Sequence, residues 1–245
     1  MEFEIDFSRV RAIVAQEYDQ ARADIEAHGP VEAYRRSLAR HDERLASAPD
    51  APSLACRAGC AWCCYFTVDI RTVEALNILQ AIEALNPQER NRVHGEIASN
   101  YESLKELSDD ERARRNVKCP FLAATASGGH CVIYSSRPQT CRNYHATDVL
   151  GCKQSFDEPD NVDIDPDFAP LVYQTGGAHV EAFSKALHDA GYDTDAYELN
   201  TALDATLKNP EETRRRFESK QQPFAAIAGT DVPYELIEVG DNHGG

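Results

Sequence analysis

Apolar side chains recur at helical spacing near the start of the chain. Val10, Ile13, Val14, Tyr18, Ala21 and Ile25 predict an amphipathic helix over residues 7–27 that stops near Gly29-Pro30. Val31, Tyr34, Leu38 and Leu45 predict a second helix. The small, turn-rich run 47–53 then reads as a hinge or loop. Val73, Leu76, Leu79 and Ile82 mark another helix, and Asn86-Pro87 restarts one as N-cap and first position, with Val93, Ile97, Tyr101 and Leu104 on its apolar face.

From Cys119 the period shortens. Phe121-Leu122-Ala123 and Cys131-Val132-Ile133-Tyr134 predict a β-hairpin, with Ser127-Gly128-Gly129 as its turn and Cys131 opening the second strand. The acidic, proline-bearing stretch 153–170 reads as an extended loop, and helices are expected over 178–190 and 197–208. No internal repeat is visible. The expected architecture is mainly α, a helical bundle with a small β-hairpin and a cysteine-rich metal site. It divides into an N-terminal helical segment (1–46), a cysteine-cluster core (55–155), a C-terminal helical segment packed on the core (156–228) and a flexible tail (229–245).

Composition narrows the function. Of 245 residues, 42% are hydrophobic, enough for a buried core, and the net charge of −16 opposes phosphate backbones and anionic lipid, so nucleic acid and membrane surfaces are not expected as partners. The opening Met1-Glu2-Phe3-Glu4-Ile5-Asp6 has neither a basic start nor an apolar run, and no stretch approaches the roughly 18 apolar residues of a spanning helix. A cytoplasmic protein is therefore expected. In a reducing compartment, eight cysteines point to metal ligation or redox chemistry rather than to a disulfide framework.

All eight lie between Cys56 and Cys152, and Cys56, Cys60, Cys63 and Cys64 fall within nine residues. Placed on a helix at about 100° per residue, these four would share one face. Zinc and iron–sulfur clusters both need several sulfurs within a few ångströms. Cys119 precedes Pro120, and Cys141 follows Arg137-Pro138, so a short helix started by Pro138 would place Cys141 in its first turn, where the dipole favours thiolate. Cys152 completes the candidate ligand set of Cys56, Cys60, Cys63, Cys64, Cys119, Cys131, Cys141 and Cys152. Arg57, Lys118, Arg137 and Arg142 stand next to these cysteines and would offset thiolate charge, while His145 could reach the same site and Trp62 could shield it from water. Other readings stay open: ordinary buried thiols, or redox exchange between Cys60 and Cys63. Arg112, Arg114 and Arg115 read as a solvated helix end.

Three motifs together, Cys56-x3-Cys60-x2-Cys63-Cys64, Cys119-Pro120-Phe121-Leu122 and Cys131-Val-Ile-Tyr-Ser-Ser-Arg-Pro-Gln-Thr-Cys141-Arg142, resemble the YkgJ-like cysteine-cluster family over about residues 55–155. Tyr197-Glu-Leu-Asn-Thr-Ala-Leu203 is similar to a stretch of its longer bacterial members. The resemblance implies a zinc- or iron-chelating domain. It assigns ligand roles to Cys56, Cys60, Cys63, Cys64, Cys119, Cys131 and Cys141, with Cys152 a looser match; the spacing after Cys56 is one residue longer than the family's nominal pattern. The same cysteines are similar to those of flagellin lysine N-methylases, which implies an iron–sulfur-dependent methyl transfer, although no S-adenosylmethionine-binding loop is visible. A metal carrier or sensor module is a third expectation.

Overall fold

The computed structural model describes residues 6–57, 59–125, 128–161, 163–225 and 227. Of the segments expected from sequence, the tail 229–245 and Ser127 lie outside them. The Asp6 side chain accepts a hydrogen bond from the Arg9 N–H (3.0 Å) and so caps α1 (Phe7–His28). Gly29, at φ 78°, ends α1 and leads directly into Pro30, the first residue of α2 (Pro30–Ala46). Strand β1 (Asp69–Arg71) runs into α3 (Thr72–Glu83), and the Asn86 side chain accepts from the Glu89 N–H (3.0 Å) to start α4 (Pro87–Leu104). A capping box at Ser108 and Glu111 opens the short α5 (Asp109–Ala113).

The hairpin forms from β2 (Leu122–Thr125) and β3 (Gly128–Cys131). Two details of the expectation change. Gly128 and Gly129 lie within β3, paired with Thr125 and Ala124, rather than in a turn, and Cys131 closes the strand opposite Leu122 instead of opening it. Next come α6 (Gln139–Asn143) and α7 (Val149–Asp157). The loop expected from 153 onward is thus helical at its start, because the Asp148 carboxylate accepts from the Leu150 N–H and caps α7. Helix α8 (Pro170–Asp189) begins eight residues before the expected 178. Its Gly176 is tolerated because a Cβ there would come within 1.6 Å of Asn143 Oδ1. Tyr197 and Glu198, expected to be helical, lie in β4 (Ala196–Glu198), which pairs antiparallel with β1; α9 (Leu199–Lys208) and α10 (Pro210–Glu218) follow.

Of the described residues, 63% are helical. Helix α3 divides the core, which is why it is buried nearly all round. Val73 and Leu76 face Tyr34, Leu38, Phe183, Leu187 and Phe217 of α2, α8 and α10. Ile78 and Ile82 face Val93, Ile97, Phe121, Ile133, Tyr197 and Leu203, the side that carries the hairpin. Each such buried side chain contributes about 1.5–3 kcal/mol. Among the described residues, no helix is long and apolar enough to cross a membrane.

A polar network lies between α1, α2 and α8. Glu17, buried to 0% exposure, accepts from Ser37 Oγ (2.7 Å), from Arg40 Nε and Nη2 (both 2.8 Å) and from Arg44. Arginine only donates, so His179 Nδ1, 2.6 Å from Arg44 Nη1, must accept; its Nε2–H then donates to Ser37 Oγ (2.9 Å). His41 stacks on His179 at 4.6 Å with the planes 3° apart, yet neither of its ring nitrogens has a hydrogen-bond partner among the described residues. Burial pushes the pKa of His41 down to about 2 and that of His179 to about 3, helped for His179 by Arg44 and Arg40.

Candidate metal centre

The four clustered cysteines do not share a helix. Gly59, at φ 89°, turns the chain, and only Trp62–Tyr65 coils, as one 3₁₀ turn carrying Cys63 and Cys64. Backbone bonds hold the loop in place. The Cys60 N–H donates to the Arg57 carbonyl (3.0 Å) and the Ala55 N–H to the Ala146 carbonyl (2.8 Å), while the Ala146 N–H points at Cys56 Sγ (3.4 Å). Gly59 forms an antiparallel bridge with Gly129 of β3. A Cβ on Gly128 would lie 2.3 Å from the Gly59 carbonyl oxygen, so the loop and the hairpin approach as closely as they do because residue 128 is glycine, while a Cβ on Gly129 would meet Leu122 Cδ1 of its own hairpin at 2.5 Å.

The later cysteines arrive from other elements. The Cys119 N–H donates to the Cys64 carbonyl (2.7 Å), which fixes the segment leading to β2 against the 3₁₀ turn, and the Cys119 carbonyl accepts from the Leu122 N–H (3.0 Å). Cys131 sits at the end of β3 and Cys141 in the first turn of α6, whose N-cap is Pro138 rather than the expected first helical residue. Cys152 lies on α7, which packs over the loop as Phe156 meets the rings of Trp62 (5.3 Å) and Tyr65 (4.9 Å). None of the eight is in a disulfide; Cys152 is buried, Cys56 is exposed and the other six are half-buried.

The sulfurs feel one another, and Cys63 is their centre. Its pKa is lowered to about 7, chiefly because the Cys64 thiol donates a hydrogen bond to its sulfur, and that donation raises Cys64. Burial raises Cys119 to about 12, Cys152 to about 11, and Cys56, Cys131 and Cys141 as well. A Cys63 thiolate adds to the rise at each of these five sites and at Cys64, while Cys60 acts on Cys56 and Cys152. At Cys141 burial outweighs the helix dipole expected to favour its thiolate.

Of the four neighbouring cations, Arg137 favours thiolate at Cys56, Cys63, Cys131 and Cys141. Arg142 is only 2% exposed and is committed to Asp42 and to the carbonyls of Ser135 and Arg137, so it chiefly braces α6 against α2. Lys118 pairs with Glu96 at 3.2 Å. His145 has Arg137 and Asp42 as its charged neighbours rather than the thiols.

The donor chemistry suits a soft metal: eight free sulfurs, a hydrogen bond from the Cys64 thiol to Cys63, and Arg137 favouring thiolate at four of them. Among the described residues, however, no three His, Cys, Asp or Glu side chains already form a group that could hold an ion. The Gly59–Gly129 bridge and the buried network around Glu17 escaped sequence reasoning. Ser37, His41 and Arg44, polar residues at helical spacing beside Tyr34, Leu38 and Leu45, were the available signal for the second. Residues 55–164 match the CxxCxxCC family model, described as a putative zinc- or iron-chelating domain. No curated protein and no solved structure matches the chain.

Proposed function

We propose, from the premise that residues 55–164 belong to the CxxCxxCC family, that this protein holds a zinc ion or an iron–sulfur cluster on the thiols around Cys63. Cys63, Cys64, Cys119, Cys131 and Cys141 are the inner donors, with Cys56, Cys60 and Cys152 flanking them. The observation that supports this is the electrostatic influence of Cys63 on free cysteines carried by the loop, the hairpin, α6 and α7. Eight free thiols also suit a reducing, cytoplasmic setting.

The chain's own residues prepare the site. Arg137 favours the deprotonated sulfurs, the Ala146 N–H donates to Cys56, and the Trp62–Phe156 contact limits water on one side. Binding must draw the sulfurs inward and release the protons that burial keeps on most of them, so affinity rises with pH. A bound zinc ion would supply structural cross-linking, and a bound iron–sulfur cluster electron transfer.

Iron, zinc and acid-labile sulfide, measured on protein purified without oxygen together with the visible spectrum, test the proposal. Stoichiometric metal that is lost in Cys63→Ser/Cys64→Ser is the expected result, and sulfide with broad absorbance near about 400 nm selects the cluster over zinc. Absence of bound metal in the wild-type protein rejects it.

A further inference from the structure

A cavity of about 390 Å³ opens beside Cys60, within the size range of small-molecule sites. Loop, hairpin and α7 enclose it, and its apolar surface comes from Trp62, Tyr65, Leu122 and Val149. Its charged wall is Arg57 and Lys118. Arg57 has no carboxylate partner among the described residues, whereas Lys118 pairs with Glu96 (3.2 Å), which Arg92 bridges to Glu89. Lys153, paired with Asp157, stands 5.9 Å from the centre of the Trp62 ring. In a chain of net charge −16, a concave surface with excess positive charge is a local reversal, and it coincides with the rings that can stack on a planar ligand.

We infer that this cavity binds a small organic anion with a flat apolar body, such as an aromatic carboxylate, with its charge at Arg57 and Lys118 and its ring against Trp62 and Tyr65. Cys60 is the cysteine that lines the cavity, so the ligand would lie next to the clustered cysteines. The same charge disfavours a cationic ligand such as a lysine side chain. The inference goes beyond metal binding and does not depend on which metal is held.

Trp62 is the single tryptophan of the chain, so its fluorescence reports this cavity directly. The full-length protein with its native metal is titrated with benzoate and, separately, with benzylamine. The expected result is a saturable change with benzoate and none with benzylamine. Benzoate should bind about tenfold more weakly to Arg57→Ala, the loss expected for one charge-assisted contact, and should not bind to Ala124→Phe, which narrows the cavity from β2. A non-saturating benzoate response overturns the inference, as do equal responses to the two probes or unchanged binding in both variants. Metal content of the same preparations is read separately, so failure of the titration with metal present, or success with metal absent, distinguishes the two proposals.

Discussion

The buried imidazoles of α2 and α8 make stability depend on pH in a defined direction. In the unfolded chain both would gain a proton near pH 6.5, whereas in the folded protein His179 resists to about 3 and His41 to about 2. Between those limits the unfolded state binds more protons, so stability falls as pH falls, by up to about 1.4 kcal/mol per pH unit for each histidine. Urea unfolding at pH 7 and pH 5 should show this decline, and it should be shallower in His41→Phe. That variant should cost little at pH 7, since it keeps a ring against His179 and removes nitrogens that have no partner. Equal slopes in the two proteins would reject this account. Glu17→Gln, by contrast, leaves Arg40 and Arg44 without their buried counter-charge and should lose about 3–5 kcal/mol in the same assay. At this scale the sequence displayed the thiols, because cysteine spacing survives in one dimension, but not Glu17, whose partners come from residues far along the chain.

Among the elements, the contact between the 59–64 loop and the hairpin decides whether the sulfurs can assemble. Gly128 combines φ 129° with the close approach to Gly59, so Gly128→Ala must displace one from the other. We expect a loss of about 1–3 kcal/mol and a reduced metal content, measured by denaturation and by elemental analysis. Asn86→Ala, at the cap of α4, should cost about 1 kcal/mol with metal content unchanged, which separates general destabilisation from damage to the centre. Helices with long apolar stripes, α1 to α4, were readable from period alone. Helix α7 was not, because its acidic, proline-bearing continuation masks an N-cap at Asp148, and β4 was not, because a three-residue strand is defined by its partner β1 and not by its own pattern.

At the scale of the molecule, the matched segment 55–164 is bracketed by the structure that supports it. Its α3 is buried by α2 on one side and α9 on the other, and Arg142 of α6 reaches Asp42 of α2. Chelation should therefore stabilise the whole fold: removing the metal is expected to lower the melting temperature in a single transition, and an early separate transition would contradict this. The pairing of β1 with β4 carries a kinetic consequence. It closes a loop on the order of a hundred residues, whose ordering entropy grows as about (3/2)RT ln n, and that loop contains Cys119, Cys131, Cys141 and Cys152, while Cys63 and Cys64 stand just before β1. Anything that cross-links the sulfurs shortens the chain left to search, so metal capture can serve as an early folding clamp, and a newly made chain deprived of metal should linger longest with these two strands unjoined.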